Sequence, residues 1–406
     1  MPSQVSSNVA PVVQIELISG STVIPILTHH YFQSLEITER AVGSFHGVVQ
    51  LFDPTYDFLE GLVLAAGSDR FIRLRWGWDE LGLSAANVPT VTGFIVKYTP
   101  EFMPHGIQLT IELISGNAKT SMLDRLVRSF PEQTRVSDIV QAIADERGWT
   151  AFIEGTDKPW PEPLSSAGES DVAFIKALVS KALSPSGEGG YVFYFDVQDR
   201  LHFHTTSFAA EGSVRSKQYI VARDNAGEVL SFAPSDSSFF AAMLGAGKSV
   251  FRATTSTEAA AIASEATVET GLNNSGTRID PSASAWPDFG SGIQSFINFV
   301  TRHKDELDAN ARARYEEMRR ITYPAKMETI GTHDLRVLDF VDVQYIKPDG
   351  QPHYLSGQFR VLSLKHRVDA QGWRTEFDLA RSGRDPGAGT VPLSGASTLQ
   401  PEVVAP

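Results

Sequence analysis

The chain has 406 residues, more than a single hydrophobic core usually supports, so we expect two or three domains of roughly 100–200 residues each. It contains no cysteine, which excludes disulfide bonds and thiolate metal sites. Its formal net charge of −13 argues against a broad affinity for nucleic acid, because such affinity comes mainly from Lys and Arg side chains that neutralise phosphates.

The N-terminal residues, from Met1 to Gln4, lack the basic segment and the apolar stretch of a classical secretion signal. No apolar run elsewhere approaches the ~20 residues that are needed to span a bilayer. We therefore expect a soluble protein without membrane insertion.

Residues 1–118 are predicted as a β-barrel domain. Apolar and polar residues alternate in short stretches that Gly, Pro and Asp turns separate, most clearly from Gly106 to Ile114. Many short strands of this kind are typical of a small antiparallel barrel or sandwich. A short helix is also predicted at residues 58–66, with Gly67 as its stop. The predicted strands cover residues 13–17, 23–27, 32–38, 47–52, 71–76, 93–98 and 106–114.

Residues 119–208 are predicted as a small α+β domain. Apolar residues at helical spacing predict a helix that starts near Val136, and Gly148 follows it where a C-terminal cap glycine belongs. Ser170 and Asp171 can cap a second helix. Alternating residues at 191–195 and 201–205 then predict a hairpin.

Residues 209–385 are predicted as a second β-barrel domain, although residues 219–250 could instead complete the first barrel. Small and polar residues prevail from Thr254 to Ser291, which is typical of a mobile surface insertion, and residues 296–320 carry the longest helical pattern. The predicted insertion therefore spans about 254–320. Residues 386–406 are predicted as a flexible tail because Gly, Pro, Ser and Thr dominate the end of the chain. Strands are predicted at residues 219–222, 229–233, 325–332 and 340–345 and at Tyr354.

Residues 357–381 give the clearest prediction in the chain. Every second residue from Trp373 to Leu379 is apolar or β-branched, and the residues between them are charged. Residues 362–368 have the same period, and the segment from Asp369 to Gly372 fits a short hairpin loop. These residues are therefore predicted to form a hairpin that closes a β-domain.

The sequence predicts no catalytic, cofactor-binding or metal-binding residue. The segment from Gly245 to Ser249 is similar to a phosphate-binding loop, but Ala242 stands where that motif requires its first glycine, so a β-turn is favoured. Neither a Gly-x-Ser-x-Gly elbow nor a His-Glu-x-x-His helix occurs. The acidic pairs at 305–306 and 316–317 lie in a charge-rich helical pattern, where a solvated face is favoured over a paired-carboxylate site.

His202 and His204 are a candidate for metal chelation. They flank Phe203 on a predicted strand, so both imidazoles project to one face. A transition-metal site needs a third and usually a fourth ligand, and the residues that follow, 205–207, supply only hydroxyl groups. A structural role is therefore favoured for both histidines.

Two parts of the chain carry a family resemblance. The first runs from Thr134 to Trp149, continues from Ser170 to Leu178 and ends in the hairpin of residues 191–204. The second runs from His333 to Leu379. Together they resemble phage baseplate hub proteins, a family that includes the late control protein D group and the base of the VgrG spikes of type VI secretion.

The resemblance implies a fold that is mainly β with α+β, in which two tail-tube-like antiparallel β-barrels flank the small α+β domain. It implies a structural hub of a phage tail, or of a related contractile injection machine, that forms a homotrimeric ring with pseudo-six-fold symmetry. Such a ring would join the six-fold tail tube to a three-fold central spike and let DNA pass without specific binding. The implied location is the virion baseplate, after assembly in the host cytoplasm. The implied partners are tube or tube-initiator proteins, a separate spike protein and other baseplate proteins, with no cofactor.

Two other hypotheses remain open at this point. One is a hub that also hydrolyses cell wall, which would need a pair of carboxylates in a cleft. The other is a distal-tail or receptor-binding adaptor, which would favour a six-fold assembly or a carbohydrate groove lined with aromatic residues. The tryptophans are scattered over predicted strands, turns and linkers, which weakens the groove hypothesis: they are Trp76, Trp78, Trp149, Trp160, Trp286 and Trp373.

Overall fold

The computed structural model describes about three fifths of the chain in a series of segments. The predictions for residues 58–66, for most of the helix of residues 296–320 and for the tail of residues 386–406 lie outside the described residues. The described residues are 10–19, 22–26, 31–56, 70–78, 83, 88–123, 125–157, 159–160, 162–179, 181–182, 191–205, 208, 215–221, 227–235, 248–254, 263–269, 293–297, 323–347, 353 and 356–381.

The described residues among the first 118 form mainly strands, as predicted. Each predicted strand is present, and a further short one, β4, has no counterpart among the predictions because three residues are too few to show a period. The strands are β1 (Val12–Ser19), β2 (Thr22–Ile26), β3 (Phe32–Arg40), β4 (Val42–Ser44), β5 (His46–Asp53), β6 (Arg70–Gly77), β7 (Val91–Met103) and β8 (Gly106–Ser115).

The middle of the chain contains the three described helices of eight or more residues. Gly148 adopts the left-handed conformation (φ 69°) that ends the second helix, and the Ser170 hydroxyl accepts a hydrogen bond from the amide of Ala173 at 3.2 Å, so both predicted caps are confirmed. The elements are α1 (Gly116–Leu123), β9 (Ser129–Phe130), β10 (Thr134–Arg135), α2 (Val136–Arg147), β11 (Ala151–Ile153), β12 (Pro159–Trp160), β13 (Leu164–Ser165), α3 (Asp171–Val179), β14 (Tyr191–Phe195) and β15 (Leu201–Thr205).

The remainder of the described chain is again β. Its strands are β16 (Ser216–Val221), β17 (Val229–Pro234), β18 (Lys248–Thr254), β19 (Ala263–Glu269), β20 (Ile293–Ile297), β21 (Tyr323–Ile330), β22 (Phe340–Tyr345), β23 (Gly357–Asp369) and β24 (Gly372–Arg381). The hairpin of β23 and β24 confirms the clearest prediction, and Gly372 takes a positive φ of 122° in its loop. The chain is thus mainly β with large antiparallel sheets, as predicted.

Strands β18, β19 and β20 form a separate three-stranded sheet, which corrects the predicted start of a helix at Phe296. Strand β19 lies within residues 254–291, whose mobility stays a prediction. The prediction for this stretch rested on its scarcity of large apolar side chains. Strands pair through backbone N–H and C=O groups, which do not depend on the side chain, and only proline lacks the N–H.

One continuous sheet joins the two ends of the chain. Its strand order is β17-β21-β24-β23-β3-β5-β8-β7-β6-β1-β2, and β22 and β16 extend it from β23. The joint is the antiparallel pair of β23 and β3, in which Val368 lies opposite Leu35 and His366 opposite Ile37. Most neighbours in this sheet are close in sequence, but this pair brings together residues that are more than 300 positions apart.

Strand β23 forms this joint because it changes partners along its length. Its first residues, Gly357 to Arg360, pair with β22, and its later residues, Ser363 to Val368, pair with β3. The register with β24 shifts between Val361 and Ser363. A bulge of this kind bends a strand and increases its twist, which allows one edge to serve two successive neighbours.

The buried side chains form three clusters. The first core contains the inward residues of β1, β3 and β5 to β8, together with Val368 and Trp373. The middle core contains the apolar faces of α2 and α3 and alternate residues of β14 and β15. The C-terminal core contains inward residues of β21 to β24 together with Val192 and Tyr194.

Strand β14 is buried on both faces because it separates two of these cores. Tyr191, Phe193 and Phe195 face the middle core, whereas Val192 and Tyr194 face the C-terminal core. Strand β14 also pairs in parallel with β4, where Phe193 lies opposite Val42. A strand covered on both sides is expected to be apolar throughout, and β14 is aromatic or apolar at every position.

Gly331 allows a close approach between the first and C-terminal cores. A Cβ atom at this position would lie 2.0 Å from Cδ2 of Trp373, which no side chain tolerates. The Gly331 carbonyl accepts a hydrogen bond from the Trp78 indole at 2.9 Å, and its amide donates to the Trp373 carbonyl at the same distance. Glycine therefore lets the two tryptophans pack on the backbone at this position.

Candidate functional site at the junction of the three cores

Polar and titratable side chains gather where the three cores meet. Glu39 reaches this place from the end of β3, Asp196 and Arg200 from the turn between β14 and β15, and His202 and His204 from β15. We call these five residues the junction site. All except Arg200 are at most 6% exposed, which is unusual for charged or titratable groups and marks the site as a candidate for function.

Asp196 organises the turn between β14 and β15. One of its carboxylate oxygens accepts hydrogen bonds from the amides of Gln198 and Arg200, each at 2.9 Å, and the other accepts one from the Arg200 guanidinium at 2.7 Å. Burial alone would raise the pKa of Asp196, but the hydrogen bonds and charges of His202 and Arg200 hold that pKa below its usual value. Asp196 is therefore the fixed negative charge of the site.

Glu39 is the titrating group of the site. It follows Leu35 and Ile37 on the inward face of β3, and its carboxyl group accepts a hydrogen bond from the amide of Val197 at 2.7 Å. Burial and the nearby charge of Asp196 raise the pKa of Glu39 to about 7, although the Val197 amide, Arg336 and Arg200 partly oppose them. Glu39 therefore changes its charge near neutral pH.

We expect the wild type to lose stability at alkaline pH and the Glu39→Gln variant to keep it. The folded protein holds the Glu39 proton more tightly than the unfolded chain, so this stabilisation is fully present below pH 4.5 and is lost as the pH rises through 7. A pKa raised from 4.5 to about 7 corresponds to about 3 kcal/mol. The glutamine variant should match the wild type near pH 5 and unfold at higher urea concentration at pH 8.5.

Glu36→Gln is the matched control, because Glu36 lies outward on the same strand and pairs with Lys365 at 3.0 Å. Urea unfolding of both variants between pH 5 and 9 provides the measurement. If Glu39→Gln and wild type show parallel pH profiles, the buried carboxyl group does not titrate in this range and the assignment is wrong.

His202 and His204 confirm the prediction that both imidazoles lie on one face of a strand. His202 Nδ1 and His204 Nε2 are 3.2 Å apart. His202 Nε2 also lies 3.1 Å from Asp196 Oδ2, and His204 Nδ1 lies 2.7 Å from the Thr205 carbonyl oxygen. Burial lowers the pKa of His204 to about 4; the Thr205 hydrogen bond partly opposes this, and the charges of His202 and Arg360 act in the same direction as burial.

A small cavity adjoins the junction site on the side of the first core. It has a volume of about 20 Å³, which admits about one water molecule, and Trp76, His333 and His366 form part of its wall together with Glu39 and Asp196. Burial lowers the pKa of both His333 and His366, so these rings are neutral at physiological pH. A cavity of this size excludes any organic substrate.

Three of the six tryptophans meet beside this cavity, although the sequence suggested that they are scattered. Trp76 and Trp373 are buried against the ring of His333, at centroid distances of 5.1 and 4.6 Å, and Trp78 packs on Trp373 at 5.5 Å. They belong to the first core or pack against it, and they do not line an open carbohydrate groove.

The other sequence candidates are placed elsewhere. Lys248 and Ser249 begin β18, whereas a phosphate-binding loop requires a helix after its lysine, and the glycines before them lie outside the described residues. The acidic pairs at 305–306 and 316–317 also lie outside them. Within the described segments no group of three or more His, Asp or Glu side chains is arranged to hold a metal ion, and no helix there is long and apolar enough to cross a membrane.

Sequence reasoning missed Glu39 and Asp196. A local signal for Glu39 exists, because it occupies an inward position in the alternation of Leu35, Ile37 and Glu39. Asp196 and Arg200 stand four residues apart around a turn, a pattern too common to mark a site without the fold.

Comparisons with known proteins agree with this architecture. Neither a protein-family model nor a curated protein sequence matches the chain. The 43 kDa tail protein of prophage MuSo2 from Shewanella oneidensis superposes with a TM-score of 0.57 at 14% identity, over 92% of this chain and 100% of that one. The tail protein from Neisseria meningitidis gives 0.58 at 10% identity, over 93% and 97%. The chain has the fold of a phage tail protein.

The tail-protein fold is also found in a secretion machine. The Escherichia coli c3393 protein, a component of the type VI secretion system with structural similarity to the T4 bacteriophage tail proteins gp27 and gp5, superposes with a TM-score of 0.51 at 13% identity, over 88% of this chain and 77% of that one. The three comparisons each cover at least 88% of this chain.

Proposed function

We propose that this chain is the structural hub of a phage tail baseplate or of a related contractile injection machine. The observation that carries the proposal is the fold: two sheet-building cores, one near each end of the chain, join through β3 and β23 into one continuous sheet, in a chain that has the tail-protein fold over most of its length. We further propose that each of the two cores corresponds to one tube-like barrel, within residues 1–118 and 209–385, and that residues 119–208 form the unit between them.

Symmetry matching explains why a hub benefits from two similar units in one chain. Three copies of a chain with two tube-like units present six units in a ring, which suits a six-fold tail tube on one side. The same ring keeps three-fold symmetry and suits a three-fold central spike on the other side. The proposed partners are therefore tube or tube-initiator proteins, a separate spike protein and other baseplate proteins, in a virion assembled in the host cytoplasm.

The two ends of the continuous sheet support a ring that closes head to tail. Strands β2 and β17 end the main strand order and have an unpaired edge among the described residues. Both expose apolar side chains, with Ile24 of β2 40% exposed and Leu230 of β17 49% exposed. A free edge with apolar residues is a ready template for another strand. We propose that β2 of one copy faces β17 of the next.

Charge pairing on the outward face of the sheet supports passage of DNA without binding. Lys and Arg attract phosphates when they are free, but acidic neighbours on adjacent strands already pair with several of these cations. The net charge of −13 acts in the same direction. The pairs are Arg73 with Glu16 at 3.0 Å, Lys97 with Glu112 at 3.4 Å, Lys365 with Glu36 at 3.0 Å and Arg374 with Glu328 at 3.2 Å.

The junction site supports a structural role more than a hydrolase. A carboxyl group with a raised pKa, such as Glu39, is a common general acid, and it would need access to a glycan. The cavity beside Glu39 admits about one water molecule, and the partner carboxylate Asp196 is held by Arg200 and His202. We therefore propose that these groups connect the cores and do not cleave cell wall.

Cysteine cross-linking tests the proposed ring against a background without native cysteine. We expect mass photometry of the purified chain to give three times the mass of one chain. Under mild oxidation, a variant with both Ile24→Cys and Leu230→Cys should form covalent dimers and trimers, whereas each single variant should stay uncross-linked. A monomeric or six-fold assembly would overturn the trimer, and cross-linking of Ile24→Cys alone would overturn the head-to-tail arrangement.

A further inference from the structure

The two imidazoles of the junction site hold one more proton than two neutral histidines carry. The Thr205 carbonyl and the Asp196 carboxylate only accept hydrogen bonds, so His204 Nδ1 and His202 Nε2 must each carry a hydrogen. If both rings were neutral, His202 Nδ1 and His204 Nε2 would face each other at 3.2 Å with a lone pair on each and no hydrogen between them. A hydrogen bond at that distance requires one further proton between them.

The surroundings of His202 are suited to a positive charge. The ring stacks on Tyr194, with 4.5 Å between centroids and 4° between planes, and on Phe152, at 5.0 Å and 28°. Aromatic faces attract cations, and the attraction is stronger when the cation is removed from water. Asp196 supplies the counter-charge on one edge of the ring, and His204 supplies a neutral acceptor on the other edge.

His204 is the acceptor because its own environment opposes a charge. It is 2% exposed, and Arg360 adds a positive charge nearby, so the pKa of His204 is lowered to about 4. The additional proton therefore belongs to His202.

We propose that His202 is a buried imidazolium that connects the middle and C-terminal cores. His202 and Tyr194 lie opposite each other on β15 and β14, and Tyr194 packs into the C-terminal core. Without the additional proton, His202 and His204 face each other with two lone pairs, and the strand that carries them loses a hydrogen bond between two buried groups.

Charged groups surround the pair. Ionisation of Glu39 near neutral pH adds a negative charge beside Asp196. The titratable and charged groups that face the pair come from every surrounding element: Asp196 and Arg200 from the turn, Tyr194 from β14, Glu154 after β11, Glu39 from β3, Asp339 before β22 and Arg360 from β23.

A metal ion is the other species that could lie between two imidazole lone pairs. In each ring, the nitrogen that faces away from the other ring donates to an oxygen acceptor, as in most metal-binding histidines. A transition-metal site needs three or four ligands, however, and within the described residues the pair has no third ligand. A proton needs only the donor and the acceptor that are present.

Nuclear magnetic resonance of the full chain with ¹⁵N-labelled histidine tests the proposal. We expect one buried ring at pH 7 with a hydrogen on both nitrogens. His204→Gln keeps an acceptor oxygen and should preserve both signals, whereas His204→Leu should lose one of them. Exposed His105, replaced by Gln, is the matched control and should leave the buried ring unchanged.

Amide exchange tests the connection between the cores separately from Glu39. In a Glu39→Gln background, His204→Leu removes the acceptor of the His202 proton and should lower the exchange protection of the β14 amides about tenfold, while that of β5 and β8 stays constant. A single-protonated His202 ring at pH 7 would overturn the proposal. So would protection of β14 that His204→Leu leaves unchanged, or stoichiometric binding of added Zn²⁺ that displaces the proton.

Discussion

Phe377→Asp is expected to prevent the C-terminal core from forming and to abolish assembly of the chain. Phe377 is 1% exposed and lies on the inward face of β24, opposite Leu364 on one side and Met327 on the other. Removal of a buried phenylalanine costs about 3–5 kcal/mol. A carboxylate without a partner in the same place adds several more, so the total approaches the whole stability of a typical domain.

The matched control is Glu376→Gln, one residue away and on the outward face of the same strand. Glu376 lies opposite Lys365 and Glu328 on the neighbouring strands, so its replacement should change the stability by less than about 1 kcal/mol. Phe377→Leu, which keeps an apolar side chain, should fold with reduced stability. Urea unfolding and mass photometry report the two effects, and a Phe377→Asp protein that assembles normally would mean that the inward and outward faces are interchanged.

The hairpin around Phe377 shows which parts of the fold are local enough to be predicted. Side-chain alternation fixes which residues of β24 face inward, and Gly372 fixes the turn, so both could be derived from about 25 consecutive residues. The pairing of β23 with β3 could not be derived, because no local pattern specifies a partner more than 300 residues away. The bulge between Val361 and Ser363, which makes the joint possible, gives no signal in the alternation either.

The junction site shows the same division between local and long-range information. The shared face of His202 and His204 follows from their spacing, and it was predicted. The spacing does not predict that this face is turned toward Tyr194 and the C-terminal core. That orientation depends on how β14 and β15 pack between two cores. Glu39 acquires its raised pKa only because the Asp196 turn, which is 157 positions later in the chain, covers it.

The polar junction and the continuous sheet serve one requirement of the proposed hub. A ring that connects two partners transmits force only if its units keep a fixed relation, and a single strand pair between β3 and β23 is a narrow connection. The middle core adds a second connection, because β4 of the first part of the chain pairs with β14 and Tyr194 packs into the C-terminal core. Glu39, which lies beside this second connection, loses its proton near neutral pH, so the stability of the folded chain depends on pH.

Asp171→Ala is expected to destabilise the middle core by about 3–5 kcal/mol. The Asp171 carboxylate is fully buried at the start of α3, where it accepts a hydrogen bond from Arg128 Nε at 2.8 Å and one from Arg147 Nε at 2.7 Å. These bonds tie α3 to the end of α2 and to the segment before β9. Removal of the carboxylate takes from Arg128 and Arg147 their shared buried counter-charge, which accounts for the size of the effect.

Glu146→Gln is the matched control for Asp171→Ala, because Glu146 also pairs with Arg128 but its side chain is 53% exposed. Exposed ion pairs contribute about 0–1 kcal/mol, so this variant should unfold close to the wild type. Asp171→Asn keeps the size and one acceptor oxygen but not the charge, and it should fall between the two. Urea unfolding followed by the fluorescence of Trp149, which is buried in the middle core, measures the series. Equal midpoints for Asp171→Ala and Glu146→Gln would show that the buried carboxylate does not hold α2 and α3 together.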